Sequence, residues 1–152
     1  MIELDETTRI DRPPSDVFAR LAEPEAYGAW LPGIRSIRRM TDGPVGLGAP
    51  VAIEFASPAG PIRATGAITD YELDRAIGLS AEAPQLRFAV RFDLAPTDAG
   101  PVAASGGATD VRLHLRLELK GGLRFAEGMV ARQAKTELPA ALARLRARVE
   151  TG

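Results

Sequence analysis

The sequence predicts an α+β domain in two layers, a curved antiparallel sheet with one long helix lying along it. Three observations carry this reading. Segments 86–94 and 111–119 alternate apolar and polar residues, the pattern of strands with one covered and one wet face. The last thirty residues change to a helical period. Two short helical stretches, bounded by prolines, separate the first strand-like segment from the rest.

The elements follow in order. In "IELDETTRI" residues Ile2, Leu4, Thr8 and Ile10 share one side of a strand, which Pro13 and Pro14 end. Ser15 is a candidate cap for the next helix, with Pro14 alternatively in its first turn. That helix carries Val17, Phe18 and Leu21 at helical spacing and is short enough to need tertiary packing. "PEAYGAWL" predicts one or two helical turns with Tyr27, Trp30 and Leu31 along one side, stopped by Pro32 and Gly33. Trp30 is the only tryptophan and Tyr27 one of two tyrosines. An irregular strand, "IRSIRRM", and a turn region, "DGPVGLG", come next. Val51, Ile53 and Phe55 then line one strand face, and Ile62, Ala64, Gly66 and Ile68 another. Gly66 marks a bend or a close approach, because glycine weakens a flat strand.

"RAIGLSAE" is the next strand, carrying Leu79. In the two clearest strands, Leu86, Phe88, Val90, Phe92 and Leu94 point one way, as do Val111, Leu113, Leu115, Leu117 and Leu119. Residues 95–110, small and rich in Pro and Gly, read as a long mobile hairpin loop. From Gly122 onward Leu123, Val130, Ala134, Leu138, Ala141, Leu142, Leu145 and Val149 sweep one helical stripe. Pro139 is expected to kink or divide that helix.

Composition bounds the function. A chain of 152 residues is expected to form one domain, 1–152. Nineteen basic residues, seventeen of them Arg, against twenty acids give a net charge of −1, and the interleaved charges form no nucleic-acid stripe. With no cysteine and one histidine, neither a disulfide nor a usual structural zinc site is expected, and no cofactor is. No apolar run approaches the roughly 20 residues of a membrane span, and "MIELDETTRI" lacks the pattern of a signal peptide. The expectation is a cytoplasmic protein with no stable membrane insertion; oligomeric state is left open.

Residues 10–48, "IDRPPSDVFARLAEPEAYGAWLPGIRSIRRMTDGPVGLG", carry a resemblance. A strand, a proline, a helix with "VF" (Val17-Phe18), then Pro24, Tyr27, Trp30, Pro32-Gly33, and a turn with Asp42-Gly43-Pro44, Gly46 and Gly48 are similar to the START-like, or SRPBCC, superfamily. The likeness is to bacterial members of the polyketide cyclase/dehydrase and lipid transport type, and its element order covers nearly the whole chain. It implies the helix-grip (Bet v 1-like) fold, with an elongated apolar cavity between sheet and final helix. One fold serves many functions, so the resemblance implies a ligand class before it implies a reaction.

The expected partner is therefore a small hydrophobic molecule, lipid or polyketide-like. Burying apolar ligand surface contributes about 25 cal/mol per Å². Candidate lining residues are Phe55, Ile68, Leu79, Phe88, Val90, Phe92, Leu113, Leu115, Leu117, Met129 and Val130, although core packing alone produces the same alternation. Trp30 is read first as an anchor for the short helices, and Tyr27 as anchor or ligand contact in equal measure. Tyr71 is the best polar candidate, provided a bulge turns it inward; Glu127 either orients a polar ligand end or marks the solvent edge. His114 shares its parity with Arg112, Arg116 and Glu118, which puts it on the solvent face, and no catalytic residue is assigned. A non-catalytic carrier, sensor or sequestering protein is the leading reading. A cyclase-type enzyme and an interaction module resembling chaperone-ATPase activators are the rivals.

Overall fold

The computed structural model describes residues 1–57, 60–97 and 107–151. Seven strands form one antiparallel sheet: β1 (Ile2–Ile10), β2 (Ile34–Arg39), β3 (Pro50–Phe55), β4 (Ile62–Glu72), β5 (Ala76–Glu82), β6 (Leu86–Thr97) and β7 (Ala108–Leu119). Their order across the sheet is β1-β7-β6-β5-β4-β3-β2. Helix α1 (Pro14–Leu21) and a 3-10 helix, Pro24–Ala29, follow β1. A second 3-10 helix, Gly121–Ala126, leads into the long helix α2, Glu127–Thr151. This is the helix-grip arrangement, the sheet curving round α2.

The alternation predicted for β6 and β7 puts Phe88, Val90, Phe92, Leu113 and Leu115 in the core and leaves Arg87 and Arg116 exposed. The long hairpin is shorter than expected at both ends. Residues 95–97 and 108–110 extend the two strands, pairing Ala95 with Asp110 and Thr97 with Ala108. The rest of the expected mobile loop lies outside the described residues.

Gly66 sits where β4 and β5 nearly touch. A Cβ there would lie 1.7 Å from the Ser80 carbonyl oxygen, so only glycine is tolerated. A little further along, the β4–β5 register shifts between Ile68 and Asp70. This bulge reverses the parity of the rest of β4. Ile68 and Tyr71, which strict alternation would put on opposite faces, both pack on the core.

The structure decides two details of the helices. Helix α1 begins at Pro14 with Pro13 as its N-cap and no side-chain cap, so Ser15 lies inside the first turn. Helix α2 continues through Pro139 and is not divided.

The two edges of the sheet are covered by the chain itself. The 3-10 segment Pro24–Ala29 lies along β2, and Gly28 approaches so closely that a Cβ would stand 3.2 Å from the Arg35 carbonyl oxygen. Helix α2 runs beside β1 in the same direction. Its first residue, Glu127, bonds the Met1 amine, and near its end Glu150 accepts the Asp11 amide at 2.8 Å. Nine strand residues span about 30 Å and 25 helical residues about 37 Å, so the two elements match in length. Among the described residues no helix is long and apolar enough to cross a membrane.

Candidate functional site: the space between helix α2 and the sheet

The stretch 23–33 is an anchor. Tyr27 is 1% exposed and Trp30 2% exposed. Their rings meet at 5.4 Å, and both stand against Phe92, at 5.8 and 5.7 Å. The Tyr27 hydroxyl donates to the Leu21 carbonyl and so caps the last turn of α1. Burial pushes its phenol pKa up, so it stays a neutral donor. Trp30 is held through its backbone, where Arg144 of α2 donates to its carbonyl oxygen at 2.9 and 3.3 Å. Arg144 is thus a strut between α2 and the aromatic cluster. The arginine's reach across 114 positions left no trace in local spacing.

Tyr71 meets its condition. The bulge turns it inward opposite Ile77, and its ring stands edge-on to Phe18 at 5.3 Å. Its hydroxyl takes no hydrogen-bond partner among the described residues. Tyr71 and Phe18 belong to the end of the sheet where α1 packs.

The remaining candidates divide between the two ends of the sheet. Ile68, Leu79, Val90, Phe92 and Leu113 lie at or near the α1 end and are all buried. Leu115 pairs with Val90 in the same cross-strand row as Leu79 and Ile68, whereas Phe55, Phe88 and Leu117 lie toward the start of α2, with Phe55 and Phe88 in ring contact at 5.2 Å. Leu117 is half-buried there. On α2 the difference is sharper. Leu138, Ala141, Leu142, Leu145 and Val149 are buried, whereas no side chain from 121 to 137 is. Leu123, Ala126 and Val130 pack against the core only in part. Met129 does not join the interior as the sequence reading has it: one residue before Val130 on the helix, it falls on the outer side and is exposed. The inward stripe of this half is Glu127, Val130, Ala131 and Ala134, which is short of bulk compared with the leucines beyond it.

Glu127 marks the solvent edge. It pairs with the Met1 amine, whose hydrogen bond and charge hold its carboxyl below the ordinary value. The outer face carries ion pairs. His114 Nδ1 lies 2.8 Å from Asp5 and its Nε2 3.6 Å from Glu3, and Arg91 bonds Asp70 at 2.7 Å. An open cleft of about 540 Å³ crosses this face over Ala67, Ser80 and Ala89, rimmed by Arg87, Arg116 and Glu118. Among the described residues no group of three or more His, Asp or Glu side chains is placed to hold a metal ion.

The comparisons with known proteins agree with this architecture. Residues 1–150 match the family model described as polyketide cyclase / dehydrase and lipid transport. Among solved structures, a START superfamily protein from Mycobacterium smegmatis is 18% identical, with 99% of each chain covered and a TM-score of 0.72. A protein of Thermus thermophilus is 16% identical over 97% of this chain and 96% of its own, with a TM-score of 0.73. The Zhui aromatase/cyclase of a Streptomyces species is 15% identical over 98% of this chain and 88% of its own, with a TM-score of 0.60. Among curated protein sequences there was no match. At these identities the structural likeness establishes the fold, and the family model, spanning nearly every residue, establishes the kinship: the chain belongs to the polyketide cyclase/dehydrase and lipid transport family.

Proposed function

We propose that the chain binds a small hydrophobic molecule, lipid or polyketide-like, between the first half of α2 and the sheet, and acts as a carrier, sensor or sequestering protein without chemistry of its own. One observation carries this. For three turns α2 buries no side chain fully, although the sheet at that end offers Phe55, Phe88 and the half-buried Leu117. A helix with an apolar sheet beside it normally fills that space with bulk. Here the inward positions are Val130, Ala131 and Ala134. An apolar ligand held there would add bulk beside these small residues.

The test is native mass spectrometry of freshly purified protein, then of protein exposed to lipids and to polyketide-like aromatics. A reproducible hydrophobic adduct is expected, and Ala134→Phe, which places a ring in the same space, should displace it. Protein that stays bare with every compound overturns the proposal.

A second reading, a cyclase-type enzyme like the Streptomyces neighbour, draws on one feature. Tyr71 brings an unpartnered hydroxyl to the inner face. Under that reading Tyr71→Phe would abolish turnover of a bound polyketide-like substrate while leaving its affinity intact. Under the carrier reading no turnover is found with either protein.

A further inference from the structure

We propose that residues 120–135 form a docking surface for an anionic lipid bilayer, with Phe125 and Met129 entering the interface and Arg124, Arg132 and Lys135 lying over the headgroups. The apolar half of the argument is exposure. Phe125 is 87% exposed and Met129 61% exposed, four residues apart on the outward side of the segment. Water-facing Phe and Met side chains this close together are costly unless something covers them.

The other half is charge. Arg124, Arg132 and Lys135 make no ion pair among the described residues, so no close contact must be broken to redirect them. Lys120 is committed to Glu82 at 2.7 Å. The segment's one acid, Glu127, is neutralised by the Met1 amine. The segment is therefore basic in a chain whose net charge is −1, and the rest of the molecule is correspondingly acidic. An anionic surface would attract this end and repel the others, which fixes orientation. Apolar residues flanked by unpaired cations are what an interfacial segment requires. A second copy fits worse, because a two-fold contact of the patch with itself would bring cations against cations. Gly121, at φ 56°, and Gly122 join the segment to β7 without side-chain contacts.

The experiment is sedimentation of the full chain with phosphatidylcholine vesicles, with and without phosphatidylglycerol. Co-sedimentation is expected with the anionic vesicles alone, weakening as salt is raised. Arg124→Gln with Arg132→Gln should lower partitioning about fivefold for each cation removed. Phe125→Ser with Met129→Ser should abolish it, and because these side chains are exposed the melting transition should be unchanged. Phe125→Trp gives an independent readout, its emission shifting to the blue on binding. Equal binding to both vesicle types, no binding to either, or binding unaffected by both double variants overturns the proposal. So does a concentration-dependent dimer that Phe125→Ser with Met129→Ser dissolves, since a second copy would then be the cover. Vesicle binding is measured without interior ligand, so its failure leaves the reading of the interior untouched, and the converse also holds.

Discussion

The two halves of α2 face the same sheet and do opposite things. From Leu138 onward, apolar side chains at helical spacing are driven out of water, and Arg144 reaches from this half to the Trp30 carbonyl. From Glu127 to Glu137 the same stripe holds small residues and buries none of them fully. The second half is bound into the core with Tyr27, Trp30 and Phe92; the first is held at its tip by Glu127 and the Met1 amine. Full burial is thus confined to one half of the helix, and a continuous helix can carry both halves because its backbone hydrogen bonds do not depend on which half is packed.

The largest expected effect tests the packed half. Leu142→Ala should cost about 2–5 kcal/mol in urea unfolding. Val130→Ala, in the other half, should cost well under about 1 kcal/mol, because no fully buried group is lost. Equal losses would break the comparison.

Next is the aromatic anchor. Tyr27→Phe keeps the ring but strips the donor from the buried Leu21 carbonyl, with an expected loss of about 1–3 kcal/mol. A loss near zero would mean the hydroxyl is free to turn elsewhere, and the ligand-contact reading of Tyr27 would return.

A smaller effect concerns the end of α2. Burial alone would raise the Glu150 carboxyl, but the Asp11 amide and Arg146 outweigh it and hold it below the ordinary value of 4.5. A depressed folded pKa means its contribution is fully present above the unfolded carboxylate range and is lost as pH falls through the folded value. The acid limb of the melting temperature should therefore flatten in Glu150→Gln, with a loss of about 1 kcal/mol at neutral pH. An unchanged acid limb would remove Glu150 from the account of how α2 is tied to β1.

The smallest effect sharpens the open half. Ala134→Leu should leave stability within about 0.5 kcal/mol or raise it slightly, since it adds apolar bulk where α2 has little. Marked destabilisation would show that the space is already full.

How much of this is legible in the sequence depends on whether the signal is local. The periods of β6, β7 and α2 are local, and they predict both layers and the outward position of His114. Trp30 is readable as an anchor from residue type and Tyr27 equally as anchor or ligand contact, but their hydrogen bonds are not readable, because Leu21 and Arg144 become partners only once the chain has folded. Tyr71 is readable only conditionally: a single shifted residue at the bulge decides its face, and nothing in "AITDYE" announces the shift. Pro139 reads as an interruption of α2, yet the helix runs through it with Leu138, Ala141 and Leu142 buried on its inner side.

By itself, then, the sequence determined the order of elements, the inward faces of the strands, the motif of residues 10–48 and hence the family. Only the tertiary structure decided that Gly66 must pass within touching distance of β5, that Arg144 clasps Trp30, and that the apolar stripe of α2 is fully buried in one half and only half-buried in the other. Alternation and helical period report which way a side chain points. They do not report how far away the next layer stands, and that distance is what separates a packed core from a place for a ligand.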